Sequence, residues 1–194
     1  INSFKITPQG TPIEILISSL KSDYEHKLLG GKIGAVFKTS LVKTENVFDV
    51  CDYPAGNPVY QANKSNRFNF DENINAVYVS FNKNFKKINF QLGLRVENTN
   101  SEGELLTTSN IQQNQKVKRN YTDFFPSGGI TYNRNENHSF ALIYSRRIER
   151  PSDQALNPFR NQLDELTGSK GNPFLQPQYI DNVKLSHTYK YKLI

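Results

Sequence analysis

The sequence has no tryptophan, no methionine and a single cysteine, Cys51. A lone cysteine excludes an internal disulfide framework and leaves the redox character of the compartment open. Long apolar runs are missing too. Nothing approaches the roughly 20 apolar residues of a membrane-spanning helix, and the most apolar stretch, Ile13 to Leu20, is broken by Glu14 and two serines. The first residues, Ile1-Asn2-Ser3-Phe4, carry neither the basic nor the apolar region of a secretory leader, so an exported chain is expected to have its signal upstream of this piece. His26, His138 and His187 lie far apart along the chain, and none has a His, Cys or carboxylate at metal-ligand spacing. No nucleophile elbow, phosphate loop or metalloprotease helix motif occurs. The expectation is a chain with no catalytic group, no metal and no cofactor.

What the chain does have is aromatic side chains in a polar background. Hydrophobic residues make up 36% of it and mean hydropathy is −0.63, yet it holds 13 phenylalanines and 10 tyrosines. Disordered chains are depleted in aromatics, so this polarity fits strands with one apolar and one polar face. The net charge of +6 permits an anionic partner such as nucleic acid, a lipid headgroup or lipopolysaccharide. The lysines are scattered, however. Lys86-Lys87 falls in an expected turn and Lys116-Val117-Lys118-Arg119 in an expected loop, and no RNA-binding, helix-turn-helix or zinc-finger signature accompanies them. Nucleic acid is therefore not expected as a partner.

Period-two alternation is the main structural signal. From Lys86 to Asn98, Ile88, Phe90, Leu92, Leu94 and Val96 share one parity, while Asn89, Gln91, Gly93, Arg95 and Glu97 share the other. The pattern recurs from Phe124 to Asn133 and from Tyr179 to Tyr191. Less regular strands are read at about Ile13–Glu25, Lys32–Asp49, Arg67–Asn82 and Ser139–Arg150, with a short helical turn at Ser152 to Leu156 that Pro151 would open. Connections alternate in length. Lys27–Gly31, Lys83–Lys86 and Arg134–Asn137 are short, whereas Cys51–Asn66, Ser101–Lys118 and Pro151–Gln178 are long. This places the tight turns at one end of a sheet and the large loops at the other, as in outer-membrane barrels. Strands crossing lipid must satisfy their backbone groups sideways, which favours hairpin-joined neighbours and closure. The expected fold is all-β: an antiparallel up-and-down meander of about seven strands, a sector of a large transmembrane β-barrel. A soluble sandwich or small barrel with its apolar parity on a core also fits the alternation. Loops this long on one side only argue against it.

Several motifs carry a resemblance. They are Phe125-Pro126-Ser127, then Tyr144-Ser145-Arg146-Arg147-Ile148 running to Arg150-Pro151, then Leu156-Asn157-Pro158-Phe159, and finally Gly171-Asn172-Pro173 with Leu175 and Pro177. From Asn120 to Tyr191 the chain resembles the outer-membrane β-barrel family of Bacteroidetes-type TonB-dependent receptors. The last string is similar to that family's Gly-Asn-Pro-x-Leu-x-Pro-Glu signature, with Gln178 in place of the Glu. Gly93, Arg95 and Glu97 resemble its Gly-x-Arg-x-Glu strand. The resemblance implies a barrel of roughly 22 strands with a plugged lumen, energised through TonB and importing a nutrient across the bacterial outer membrane. Residues 1–194 would then be a partial barrel domain without the plug or the closing strands.

Arg146, Arg147 and Arg150, followed by Asn157, Phe159, Arg160 and Asn161 and joined by Asn172, form the constellation most suited to binding. Guanidinium forks and amides at an extracellular mouth would hold an acidic or carbohydrate-like ligand or the sugars and phosphates of lipopolysaccharide. Alternatively, these arginines pair with lumen carboxylates and fix the long loop over the strand end. Phe37, Phe81, Phe90, Tyr132, Phe140, Tyr144, Tyr189 and Tyr191 are candidates for a lipid-facing band, and a soluble core would use the same residues. The expected function is a share in the wall and outer loops of an uptake receptor, with outer-membrane lipid, lipopolysaccharide, the TonB system and an unidentified nutrient as partners. A structural or adhesive barrel without transport, and a soluble β-rich binding module, remain as rival readings.

Overall fold

The computed structural model describes residues 6–8, 13–54, 57–63, 65–106, 115–158, 160–162 and 168–190. Its first elements are β1 (Ile6–Pro8), β2 (Ile13–Leu28), β3 (Gly31–Phe48), β4 (Val50–Asp52), β5 (Val59–Tyr60), β6 (Asn66–Phe85) and β7 (Ile88–Leu106). β8 (Gln115–Asn133), β9 (His138–Glu149), α1 (Asp153–Leu156), β10 (Arg160–Gln162), β11 (Gly168–Lys170) and β12 (Gln178–Tyr189) follow. The seven long strands form one sheet in the order β12-β9-β8-β7-β6-β3-β2. Every neighbouring pair in it is antiparallel, so the expected meander is observed. The short strands β1, β4 and β5 make a separate three-stranded sheet, and β10 and β11 a two-stranded one.

The three tight connections lie along one rim. Leu28 pairs with Gly31, leaving a two-residue turn with Leu29 at φ 52° and Gly30 at φ 70°. Left-handed backbone in such a turn matches the twist of the flanking strands, which glycine adopts freely and leucine does not. Phe85 pairs with Ile88, so the second turn is Lys86-Lys87, displaced toward the C-terminus from the expected Lys83–Lys86. At the third, the Arg134 N–H donates to the His138 carbonyl at 3.0 Å, and Asn135 Oδ1 accepts the N–H groups of Asn137 and His138.

Two of the three expected long loops are shorter than read. β7 continues to Leu106 and β8 begins at Gln115, so Lys116, Lys118 and Arg119 belong to a strand and not to a loop. The stretch Asn98 to Glu104 is polar or small on both parities, so no apolar face marked it as a strand; register with β6 and β8 makes it one. Within Cys51–Asn66, part of the chain pairs as β4 and β5, and Ser65 Oγ accepts the Val50 N–H at 3.0 Å and donates to the Gln61 carbonyl at 2.9 Å.

Register assigns each side chain to a face. Ile88, Phe90, Leu92, Leu94 and Val96 of β7 lie beside Val77, Val79 and Phe81 of β6 and Tyr132, Ile130 and Phe124 of β8. The apolar band continues onto β9 and β12 as Phe140, Leu142, Tyr144, Val183 and Leu185. Most of these residues are exposed, with Leu185 at 78% and Val183 at 68%. A band from Ile88 to Val96 matches the roughly 9 to 11 residues a tilted strand needs to cross hydrocarbon. The expected aromatics Phe37, Phe81, Phe90, Tyr132, Phe140, Tyr144 and Tyr189 all fall on this outer face; Tyr191 is outside the described residues.

Beyond Val96 both faces change character. The outer parity becomes Asn98, Asn100, Glu102 and Glu104, while the inner parity, polar from Asn89 to Ser101, ends at the fully buried Leu105. There Phe68, Leu105 and Leu156 form a small core with Phe48 and Phe70 against it. Leu156 reaches this core because the segment after β9 folds back over the inner face. α1 is capped by Ser152, whose side chain accepts the Ala155 N–H, so Pro151 precedes the cap and does not occupy the first turn.

One ladder stops early. β8 pairs with β9 from Asn133↔Ser139 only as far as Ser127↔Ser145, next to Pro126, whereas β9 stays paired with β12 up to Glu149↔Gln178. Proline offers no N–H to a ladder. The upper end of β9 therefore has no backbone pairing with β8.

Candidate functional site

The site is built where the upper end of β9 meets the inner face of β6, β7 and β8. Gly93, Arg95 and Glu97 occupy successive inner positions of β7. Glu97 is 5% exposed, and its two oxygens take different partners: Arg95 Nε at 3.0 Å and Arg150 Nη2 at 2.7 Å. Arg150 Nη2 also donates to Thr99 Oγ1 at 2.9 Å, and its Nε lies 3.9 Å from Glu72. A buried carboxylate bridging two guanidiniums is compensated only while both stay in place. The Gly-x-Arg-x-Glu strand and the Arg-Pro motif thus meet in one ion cluster.

The Gly-Asn-Pro motif closes the same region. The Gly171 N–H donates to the Asn157 carbonyl at 2.9 Å and the Asn172 N–H to the Ala155 carbonyl at 2.8 Å. Asn172 Oδ1 accepts the Phe174 N–H at 2.9 Å, and an Arg119 guanidinium nitrogen donates to the Pro173 carbonyl. A Cβ at residue 171 would meet the Ala155 oxygen at 2.6 Å, so the close approach of two backbone segments requires glycine there.

Below this staple lies a hollow of about 680 Å³ on the inner face. Its cationic lining is Lys21, Lys38, Arg95, Arg146, Arg147 and Arg150, with Glu97 the only carboxylate among the lining residues. Lys21 and Lys38 are directly opposite in register, an arrangement that like charges disfavour. Lys21 is relieved by Asp23 at 2.9 Å. Lys38 and Arg147 have no carboxylate partner among the described residues. Tyr78 and Phe125 supply apolar wall, and the Arg95 and Arg146 guanidiniums lie over the Phe125 and Tyr179 rings, each at 5.1 Å. Arg146 Nε is buried without a hydrogen-bond partner. Two tyrosines brace the strand ends: Tyr179 donates to Asp123 and Tyr144 to Asp181, both at 2.8 Å.

The residues singled out from the sequence divide accordingly. Arg146, Arg147 and Arg150 all line the hollow near the upper edge of the apolar band, although register gives Arg147 the inner parity of Ser145 and Arg146 the outer parity of Tyr144. Asn157 and Asn172 serve the loop staple. Phe159 is outside the described residues, and Arg160 and Asn161 are described only as backbone paired in β10 with β11. Sequence reading missed Lys21, Lys38, Arg95, Tyr78 and Phe125 as members of the site, because five strands carry them together only through register. Their shared inner parity is the one signal that linked them. It also missed that His138 and His187, far apart in sequence, are diagonal neighbours on β9 and β12, with Nδ1 and Nε2 3.0 Å apart. Among the described residues no group of three or more His, Cys, Asp or Glu could hold a metal.

No curated protein and no solved structure matches the chain. A family model described as the outer membrane protein beta-barrel family matches residues 3–194, and membership implies a place in the bacterial outer membrane. With the outward apolar band, the polar inner face and the tight turns along one rim, this makes the chain a member of the outer membrane β-barrel family.

Proposed function

We propose that this sheet is a sector of the wall of a TonB-dependent uptake receptor and that its inner hollow contacts an anionic nutrient during import. One observation carries the substrate class: six cations line the hollow with Glu97 the only carboxylate among the lining residues, Lys21 stands opposite Lys38, and neither Lys38 nor Arg147 has a carboxylate partner among the described residues. Opposed cations on a water-facing wall are unfavourable alone and favourable with an anion between them. Guanidinium forks beside aromatic faces suit planar carboxylate or phosphate groups. The family motifs of the sequence support the receptor reading, and the proposal assigns the chain no catalytic step.

The experiment is uptake by cells carrying the full-length gene, scored across a panel of anionic and neutral nutrients. Wild type should import an anionic compound only when TonB is present, and Lys38→Glu with Arg147→Glu should lower that import about tenfold or more, two lost charge-assisted contacts at about 1 kcal/mol each. A barrel that serves as an anchor or adhesin would show no dependence on TonB. Import insensitive to the charge reversals would leave transport standing and refute the hollow as its contact.

A further inference from the structure

The outer face carries a feature that the transport reading does not use. Immediately beyond the apolar band, register aligns Thr39, Asn75, Asn98 and Thr122 in one row across β3, β6, β7 and β8. The next row holds Leu41, Asn73, Asn100 and Asn120. Asparagine is depleted in strands, so strand propensity does not account for this run. Burial does not account for it either, since these asparagines are half-buried or exposed.

The amides are linked sideways into a terrace. Thr39 Oγ1 donates to Asn75 Oδ1 at 2.8 Å, Asn98 Nδ2 to Thr122 Oγ1 at 3.0 Å, and Asn100 Nδ2 to Asn98 Oδ1 at 2.8 Å. Asn75 donates to Asn73, and Asn120 to Asn100. A primary amide has two N–H donors and a carbonyl with two lone pairs. Asn98 Nδ2 also reaches Asn120 Oδ1 at 3.4 Å and the Tyr121 carbonyl at 3.5 Å, so among the described residues the spare donors are those of Asn73, Asn75, Asn100 and Asn120, with spare lone pairs along both rows.

The other boundary of the band is built differently. Near the tight turns it ends in Tyr132, His138, Phe140, His187 and Tyr189, with the Phe140 and His187 rings stacked at 4.5 Å. Amphipathic aromatics are the usual girdle where strands leave hydrocarbon. An amide terrace suits a boundary layer that presents donors and acceptors together. The ester linkages of a phospholipid present acceptors only, whereas an N-acylated amino sugar presents amide N–H, amide carbonyl and hydroxyl groups where its acyl chains begin. Phosphate is a poorer fit. The next row outward contains Lys43, Asp71, Glu102 and Lys118, and Glu102 already holds both Lys116 and Lys118, the latter at 2.8 Å.

We infer that the terrace of Asn73, Asn75, Asn98, Asn100 and Asn120 is a binding surface for the N-acylated amino-sugar headgroup of a lipopolysaccharide-type glycolipid, gripped through amides and hydroxyls and not through phosphate. It rests on barrel membership alone and is independent of the hollow.

The test uses the full-length protein purified from outer membranes, with lipid A, fully dephosphorylated lipid A and phosphatidylglycerol as probes in detergent, bound lipid being counted by native mass spectrometry. Wild type should prefer lipid A to phosphatidylglycerol by about tenfold or more, the size of one or two net hydrogen bonds. Removing phosphate should leave that preference within about twofold. Replacing Asn75, Asn98, Asn100 and Asn120 together by Thr, a better strand former, should abolish the preference without lowering the thermal transition. Asn98→Thr alone should reduce it by a smaller factor, which keeps the question open to measurement should the fourfold variant not assemble. The inference is overturned by a wild type without preference, by a preference that disappears with the phosphates, or by Thr variants that retain it, including variants that retain it while melting earlier.

Discussion

The lower and upper halves of the same strands are inside-out versions of one another. Near the tight turns, β7 points Ile88 to Val96 outward and Asn89 to Arg95 inward; near the long loops, it points Asn100 and Glu102 outward and buries Leu105 inward. β6 follows suit, with Val77 and Phe81 outward below and Phe68 and Phe70 inward above. Alternation by itself specifies two faces. The surroundings decide which is apolar: lipid outside in the lower half, a folded-in loop inside in the upper half. The crossover sits at Glu97, where inner polar positions meet the loop staple.

Breaking the crossover should have the largest effect. Glu97→Ala leaves Arg95 and Arg150 facing each other without their shared carboxylate, and loss of one partner from a buried ion cluster costs about 3–5 kcal/mol. Limited proteolysis of full-length protein in native membranes should show faster cleavage within residues 151–177. Unchanged cleavage would mean that the cluster does not hold the loop.

A pair of arginine substitutions sharpens the comparison between the halves. Leu92→Arg, in the middle of the lower outer band, should cost about 2–4 kcal/mol, whereas Asn100→Arg should cost about 1 kcal/mol or less. Reversible unfolding in lipid vesicles measures both, and equal costs would place the hydrocarbon boundary elsewhere. At the lower rim, Leu29→Asn should stabilise the hairpin by about 0.5–1 kcal/mol, because Asn tolerates the left-handed backbone that Leu29 adopts.

The smallest effect belongs to the upper outer face, beyond the band. Hydrogen bonds from Lys116 and then Lys118 hold the Glu102 carboxyl below its ordinary value, and the hydrogen bond to Glu102 raises Lys116. A depressed carboxylate contributes stability above its unfolded value and loses it as the pH falls through the folded one. Wild type and Glu102→Gln should therefore differ in thermal transition near neutral pH and converge in the acid range. Salt should shrink the difference, since both groups are exposed.

The lower half was legible in the sequence for a physical reason. Ile88, Phe90, Leu92, Leu94 and Val96 face lipid, so the environment demanded an unbroken apolar parity, and that parity defined strand, face and register together. The upper half was not. From Asn98 to Glu104 no single solvent imposes a pattern, and Gly103 and Ser101 look like loop. The arginine group was legible as a group through its motif, since Arg146, Arg147 and Arg150 are close in sequence. Lys21, Lys38 and Arg95 were not, because their nearness exists only after four strands align. Of the arginines expected to pair with carboxylates, Arg150 lies against Glu97 and Glu72, whereas Arg147 has no such partner among the described residues.

The early end of the β8–β9 ladder at Ser127↔Ser145 has a mechanical consequence. A zipper that stops beside Pro126 leaves no β8–β9 backbone pairing above that point, so the upper β9–β12 ribbon is tied to β7 and β8 by side chains and not by a ladder. The contacts across that gap are side chains: Arg150 on Glu97 and Thr99, and Tyr179 on Asp123. A seam closed by side chains parts with far less work than one closed by a continuous ladder, and it runs alongside the cation-lined hollow.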